Sequence, residues 1–183
     1  MYTLSTTRFT NSTWESNLKY RSKNNISGCI YGSPLEMSPK ILYDSLVFIV
    51  EMNNETDNIE GIGLIRNRPY LDKYYNIYKD GNYNRFIYKS NYHIDREKLI
   101  RYNEDIVKLL EYVLFKEKTH LKRGSGFTTI TPKLLASKKN ENCKKIDLNN
   151  IIKHVIQYFK LEYLIVNDIC IEESTEENQN KEN

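Results

Sequence analysis

Apolar positions along this chain fall into two kinds of run. The first kind is short and continuous. Leu46-Val47-Phe48-Ile49-Val50-Glu51-Met52, closed by Asn53-Asn54, and Ile59-Glu60-Gly61-Ile62-Gly63-Leu64-Ile65 have this form. β-Rich runs of this length bounded by turn residues predict strands, and the polar stretch between them predicts a hairpin with its loop at residues 55–58. Both runs are apolar on both faces, so central strands covered on two sides are expected. Residues 83–92 alternate instead. They predict one strand with Phe86, Tyr88 and Tyr92 on one face and Tyr83, Arg85, Ile87 and Lys89 on the other. Residues 127–130 and 163–166 are two further short strand candidates.

The second kind recurs with a helical period. Ile106, Leu109, Leu110, Val113 and Leu114 form one stripe, which predicts a helix over 103–117. Ile151, Ile152, Val155, Ile156 and Phe159 form another, behind Asp147 as its cap. Ser12-Thr13-Trp14-Glu15 reads as a capping box that opens a helix running to about Lys23. Ser38-Pro39 and Thr131-Pro132 each read as the start of a short helix, the first ending near Tyr43. Residues 138–145 read as a polar, basic loop. With no internal repeat and no interdomain linker, the expectation is a single α+β domain over 1–171 and a disordered acidic tail over 172–183.

Composition narrows the class. A chain of 183 residues with 39% hydrophobic and 28% charged positions can bury a core without metals or disulfides. Its richness in Asn, Ile, Lys and Tyr matches AT-rich coding. Cys29, Cys143 and Cys170 are odd in number and lack any ligand spacing, so buried free thiols in a reducing compartment are expected rather than disulfides or a zinc site. Nor is any other cofactor implied. No basic segment followed by an apolar run opens the sequence, and the longest apolar run, 46–50, is far too short for a bilayer. An intracellular protein with no membrane partner follows. The net charge is +3. Five glutamates against Lys181 give residues 172–183 a net −4 and leave the body at +7. Such a body is compatible with a polyanion partner and equally with a solvated surface.

Candidate chemistry concentrates in two places. In Lys122-Arg123-Gly124-Ser125-Gly126, glycines let backbone N–H groups turn toward an anion while Lys122 and Arg123 add charge. The same residues also suit a helix C-cap and turn. No Walker pattern is present. Gly61-Ile62-Gly63 lacks the third glycine of a dinucleotide fingerprint and sits inside a strand, where glycines mark a bulge or a close approach. The second place is the tyrosine-rich stretch 70–92, in which Arg66, Arg68, Lys73, Lys79, Arg85 and Lys89 are interleaved with aromatic rings. Cations for phosphates and rings for bases suit single-stranded or flipped-base binding; tyrosines half-buried at a sheet surface would look the same. Trp14 is either a stacking platform or a core anchor. His93, His120 and His154 are isolated from one another, and no catalytic residue is assigned.

Several segments carry a resemblance. Thr7-Arg8-Phe9 with Trp14, Gly28-Cys29-Ile30-Tyr31-Gly32-Ser33-Pro34, residues 48–54 and 59–67, Tyr83-Asn84-Arg85-Phe86-Ile87-Tyr88-Lys89 with Ile94-Asp95-Arg96, and residues 120–126 resemble an uncharacterised protein group of large DNA viruses of eukaryotes. That implies host cytoplasm or a viral factory as the location. The strand, polar hairpin and I-x-G-x-G-x-I strand are similar to the PUA-like superfamily, which includes EVE and YTH domains. This resemblance implies a small, curved, barrel-like mixed sheet flanked by helices, binding RNA or a modified base. A cage of several tryptophans cannot be built from Trp14 alone.

Three readings follow. The first is a non-enzymatic nucleic-acid-binding module for RNA or single-stranded DNA. In it Arg85, Lys89, Lys122 and Arg123 contact phosphates beside Gly124 and Gly126, and Trp14, Tyr83 or Tyr88 stacks on a base. The second is a structural or host-interaction protein with a protein partner. The third is an enzyme on nucleotides or nucleic acid with Glu51 or His120 in its site.

Overall fold

The computed structural model describes residues 2–116, 119–136 and 146–163. Strand β1 (Thr3–Phe9) leads into α1 (Asn11–Lys23), followed by β2 (Cys29–Ser33), β3 (Leu46–Asn53) and β4 (Asn58–Arg66). A 3-10 turn (Gly81–Asn84) precedes β5 (Phe86–Ser90), β6 (Tyr92–Asp95) and α2 (Arg96–Phe115). β7 (Thr128–Thr129), α3 (Pro132–Ala136) and α4 (Leu148–Tyr163) complete the order. The main sheet runs β6-β4-β3-β1-β7, with β1 and β3 parallel and the other neighbours antiparallel. β2 and β5 form a separate antiparallel pair. The fold is thus α+β with a mixed sheet, and among the described residues neither sheet closes into a barrel.

Register explains why β3 and β4 are apolar throughout. Leu4, Phe48, Leu64, Val50, Ile62 and Ile94 lie in cross-strand rows on one face. They pack against Ile106, Leu110, Val113 and Leu114 of α2 and Ile151, Val155 and Phe159 of α4. Val47, Ile49 and Ile65 face the other way, into a second core with Cys29, Ile30 and Tyr31 of β2 and Ile87 and Tyr88 of β5. Each strand therefore buries both of its faces, and alternation disappears from the sequence.

The hairpin forms where expected, with Asp57 in the left-handed region at φ 55°. A bulge follows it: Glu51 pairs with Gly61 but Met52 with Ile59, so Glu60 is the extra residue. The box of α1 sits two residues earlier than expected. Thr10 is the cap and Thr13 closes it, because β1 stays extended up to Thr10; Glu15 instead pairs loosely with Lys19. Helix α2 begins at Arg96 rather than 103. Its first seven residues bury only Leu99, so they display no stripe, and the chain breaks at Asn103, whose Oδ1 accepts from the N–H groups of Asp105 and Ile106. The expected start was the cap of the second segment. Ser38-Pro39 opens only a turn, closed by Ile41 N–H on the Ser38 carbonyl.

Residues 83–92 are not one strand. Ser90 Oγ donates to the Leu64 carbonyl and accepts from Tyr92 N–H, so the chain crosses there from the β2–β5 pair to the main sheet. Tyr163 ends α4 instead of opening a strand. Residues 164–166, the basic loop 138–145 and the tail 172–183 lie outside the described residues. Among the described residues no helix is long and apolar enough to cross a membrane.

Candidate functional site

Where β1 gives way to α1, a cleft of about 230 Å³ opens between Arg8, Thr10, Thr13, Tyr83 and the Gly124-Ser125-Gly126 loop. Arg8 sets its chemistry. The guanidinium is anchored from the far edge of the sheet: Nε donates to the Leu121 carbonyl, Nη1 to the Gly126 carbonyl at 3.2 Å and Nη2 to Thr128 Oγ1 at 2.6 Å. All three acceptors are uncharged. A guanidinium has five N–H donors, so two are left over. No carboxylate among the described residues lies within ion-pair distance of it. Burial pulls its pKa below the usual guanidinium value, partly opposed by Tyr83, and it stays charged in neutral water. A desolvated cation without a counter-ion, at the wall of a cleft, favours an anion.

The glycines make the approach possible. Gly124 and Gly126 adopt φ of 101° and 67°, the left-handed region that side chains disfavour. A Cβ on Gly126 would lie 2.7 Å from Ser33 Oγ. Gly124 lies directly against the guanidinium, its Cβ position 3.8 Å from Arg8 Cζ. The Tyr83 ring lines the same cleft, is partly exposed and meets Tyr78 edge-on at 6.4 Å.

The cleft gathers part of the expected set. Tyr83, Gly124 and Gly126 line it, and Arg123 is exposed on the same loop. Lys122 turns away and pairs with Asp57 at 2.6 Å. Trp14 stands half-buried, its ring against Phe9 at 5.0 Å. Tyr88 is only 1% exposed, with its hydroxyl accepting from Met37 N–H, so it cannot stack on a base. Arg85 is exposed with its guanidinium over the Phe86 ring. Lys89 lines a different cleft. Stretch 83–89 therefore presents no single surface: Tyr83 belongs to the 3-10 turn, and β5 then runs about 17 Å away from it at ~3.3 Å per residue.

A second polar group lies inside the fold. Glu51 is wholly buried. Its Oε1 accepts from the Tyr31 hydroxyl at 2.7 Å, and its Oε2 lies 2.9 Å from His93 Nε2. The strand glycines leave room for these groups. A Cβ on Gly61 would sit 2.8 Å from both Glu51 Oε2 and His93 Nε2, and one on Gly63 2.2 Å from the Tyr31 oxygen and 2.6 Å from Cys29 Sγ. Burial, then the Glu51 charge, pushes the Cys29 thiol up to about 12. Burial likewise carries the Tyr31 phenol well above its usual range. A thiol held protonated is no nucleophile at neutral pH. His120, the expected partner of Glu51, instead accepts Lys122 N–H at 3.3 Å within its own loop. Among the described residues no three His, Cys, Asp or Glu side chains form a metal-ligating group, this cluster included.

Arg8 and His93 carried no local signal as site residues. The acceptors of Arg8 are more than 110 positions away in sequence, and His93 meets Glu51 only through the register of β4 with β6. Comparison with protein-family models, curated proteins and solved structures finds no match.

Proposed function

We propose that the chain is a non-enzymatic module that binds single-stranded nucleic acid, RNA or DNA, through the Arg8 cleft. One observation carries the reading: a half-buried guanidinium held by neutral acceptors, with two N–H donors unspent and no carboxylate partner among the described residues, lines an open cleft beside a glycine loop. A phosphate oxygen accepts the spare donors, and Arg123 on the loop supplies a second positive charge. Tyr83 offers a ring face to the adjoining base. The cleft volume lies below the ~300–1,000 Å³ of pockets for drug-sized ligands, which suits a single nucleotide unit rather than a duplex. The charge of the body adds sequence-independent attraction.

The PUA-like character belongs to the same proposal, with β2 of the β2–β5 pair lying against β4 at Gly63 as the counterpart of the second half of a curved barrel. A viral setting rests on the resemblance alone, which covers most of residues 2–135.

The test is titration of labelled single-stranded RNA and DNA at several salt concentrations. Binding is expected to weaken steeply as salt rises, and Tyr83→Ala is expected to cost ~1–3 kcal/mol, the worth of one stacked base. Absence of binding to every nucleic acid at low salt would remove the reading. A protein partner is the second reading, favoured by Leu42, Tyr43, Leu71 and Tyr74, each more than 70% exposed. It predicts an association lost in Leu42→Ser with Leu71→Ser and untouched by Tyr83→Ala.

A further inference from the structure

The loop that lines the Arg8 cleft also carries a serine. Ser125 stands between Gly124 and Gly126, is exposed, and lines the cleft with them. Both of its neighbours touch the guanidinium: the Cβ position of Gly124 lies 3.8 Å from Arg8 Cζ, and the Gly126 carbonyl accepts from Nη1 at 3.2 Å. Among the described residues its hydroxyl has no hydrogen-bond partner. Residues 119–127 belong to no helix or strand, and the two glycines let the backbone around Ser125 be drawn out more readily than other residues would. Ahead of the serine, Lys122 and Arg123 place positive charge three and two positions before the hydroxyl, a spacing found once in this chain before a serine or threonine. Arg123 is exposed, and Lys122 is held by a partly exposed ion pair with Asp57.

We propose that Ser125 is a phosphorylation site for a serine kinase that reads basic residues ahead of its target, and that the added phosphate turns onto Arg8 and closes the cleft. Kinases choose substrates by the charge pattern around the hydroxyl, and an exposed loop tip is where a modifying enzyme gains access. In the transfer, Ser125 Oγ attacks the γ-phosphorus of ATP. The Oγ–P bond forms as the bond from that phosphorus to the β,γ-bridging oxygen breaks, ADP leaves, and the hydroxyl proton passes to the base of the kinase. The product carries about −1.5 to −2 charge and three strong acceptor oxygens. Two N–H donors of Arg8 are unspent, and no carboxylate among the described residues competes for them. A phosphate attached to the same loop reaches them at high effective concentration, and bonds between guanidinium and phosphate are charge-assisted. The effect on ligand binding rests on the function proposed above: the chain's own phosphate takes the place of the strand's and repels the remainder of it.

The experiment treats the whole chain with magnesium ATP and the catalytic subunit of cyclic-AMP-dependent protein kinase, a basic-directed serine kinase, and maps the product by mass spectrometry. Phosphate is expected on Ser125, absent from that peptide in Ser125→Ala and slowed about tenfold or more in Arg123→Gln. An unmodified Ser125, or an equal rate in Arg123→Gln, overturns the site. Phosphorus-31 titration of the modified chain then reads the docking. The second ionisation of phosphoserine, near pH ~6 in open solution, should move down in the folded chain relative to the same chain in urea, because the guanidinium favours the dianion. Lys122 and Arg123 remain its sequence neighbours in urea, so the difference reports the fold, and matching titrations overturn the docking. Fluorescence titration with a labelled oligothymidylate of about twenty nucleotides, longer than the ~4–16-nucleotide sites of single-strand binding folds, reads the closure. Affinity about tenfold or more lower after modification supports it, and equal affinity overturns it. If the unmodified chain binds no oligonucleotide, the nucleic-acid reading is removed and the closure with it, while the site and its docked phosphate stand or fall by the first two measurements.

Discussion

β1 and β3 run parallel, and each carries one charge near its C-terminal end. Register pairs Thr7 with Glu51 and Arg8 with Met52, so alternation sends the two charged side chains to opposite faces, where they cannot neutralise each other. Their surroundings then diverge. Glu51 is sealed from water, with a phenol on one oxygen and an imidazole on the other. Arg8 has hydrogen bonds but, among the described residues, no opposite charge, and its cleft is open. A charge whose partners are all internal has nothing left to offer a ligand. A charge that is oriented but not neutralised has its geometry settled in advance and its electrostatics unfinished, which is what a binding site requires.

The contrast can be broken at either end. The largest effect is expected for Glu51→Ala, which strands Tyr31 and His93 without their acceptor. Removing one member of a buried pair costs ~3–5 kcal/mol, read by denaturant unfolding, while the folded fraction should keep its nucleic-acid affinity. A parallel fall in affinity would merge the two regions. Gly63→Ala forces a Cβ to 2.2 Å from the Tyr31 oxygen, and overpacking of this kind costs ~1–3 kcal/mol or more. Arg8→Gln should act on binding, lowering affinity and reducing the slope of log K against log salt by about 1, the signature of one lost phosphate contact.

Alkaline pH sharpens the comparison. The folded-state pKa of Cys29 is raised from 9.0 to about 12, so the native state holds its proton more tightly than the unfolded chain. Stability is then fully present below pH 9 and falls as pH rises from 9 toward 12. Tyr31 and Tyr78 are shifted in the same direction by burial. Unfolding curves across that window should show the decline, with a shallower slope in Cys29→Ala. The smallest effect is expected for Lys122→Ala. Its pair with Asp57 is partly exposed and of a kind worth ~0–1 kcal/mol, and binding should not change.

What could be read from the sequence depended on how local the cause was. The β3–β4 hairpin, the stripe of α4 and the cap of α3 were legible, because each is set by residues within a few positions of one another. The glycines of β4 were legible as a bulge or a close approach, and both occur: a bulge beside Glu51 and side chains packed onto the bare backbone at 61 and 63. What approaches them was not legible, since Tyr31, His93 and Cys29 arrive from two other strands. The tyrosine-rich stretch misled for a similar reason. Period-two alternation assumes one strand in one sheet, and a change of sheet at residues 90–92 buries Tyr88 while leaving Tyr83 at the surface. Arg8 was hidden altogether, because an arginine in a strand reads as a solvated edge until its distant acceptors are known.

The anchoring of Arg8 also has a consequence in time. Its acceptors belong to residues 121, 126 and 128, and β1 lies between β3 and β7 in the sheet. As the ribosome extends the polypeptide, β1 is made early but waits for more than a hundred further residues before its arginine is held in place. Until then the growing chain carries a loose positive side chain and no cleft. The cleft is therefore one of the later features of the fold to take shape, because it cannot be assembled before residues 121–128 have been made.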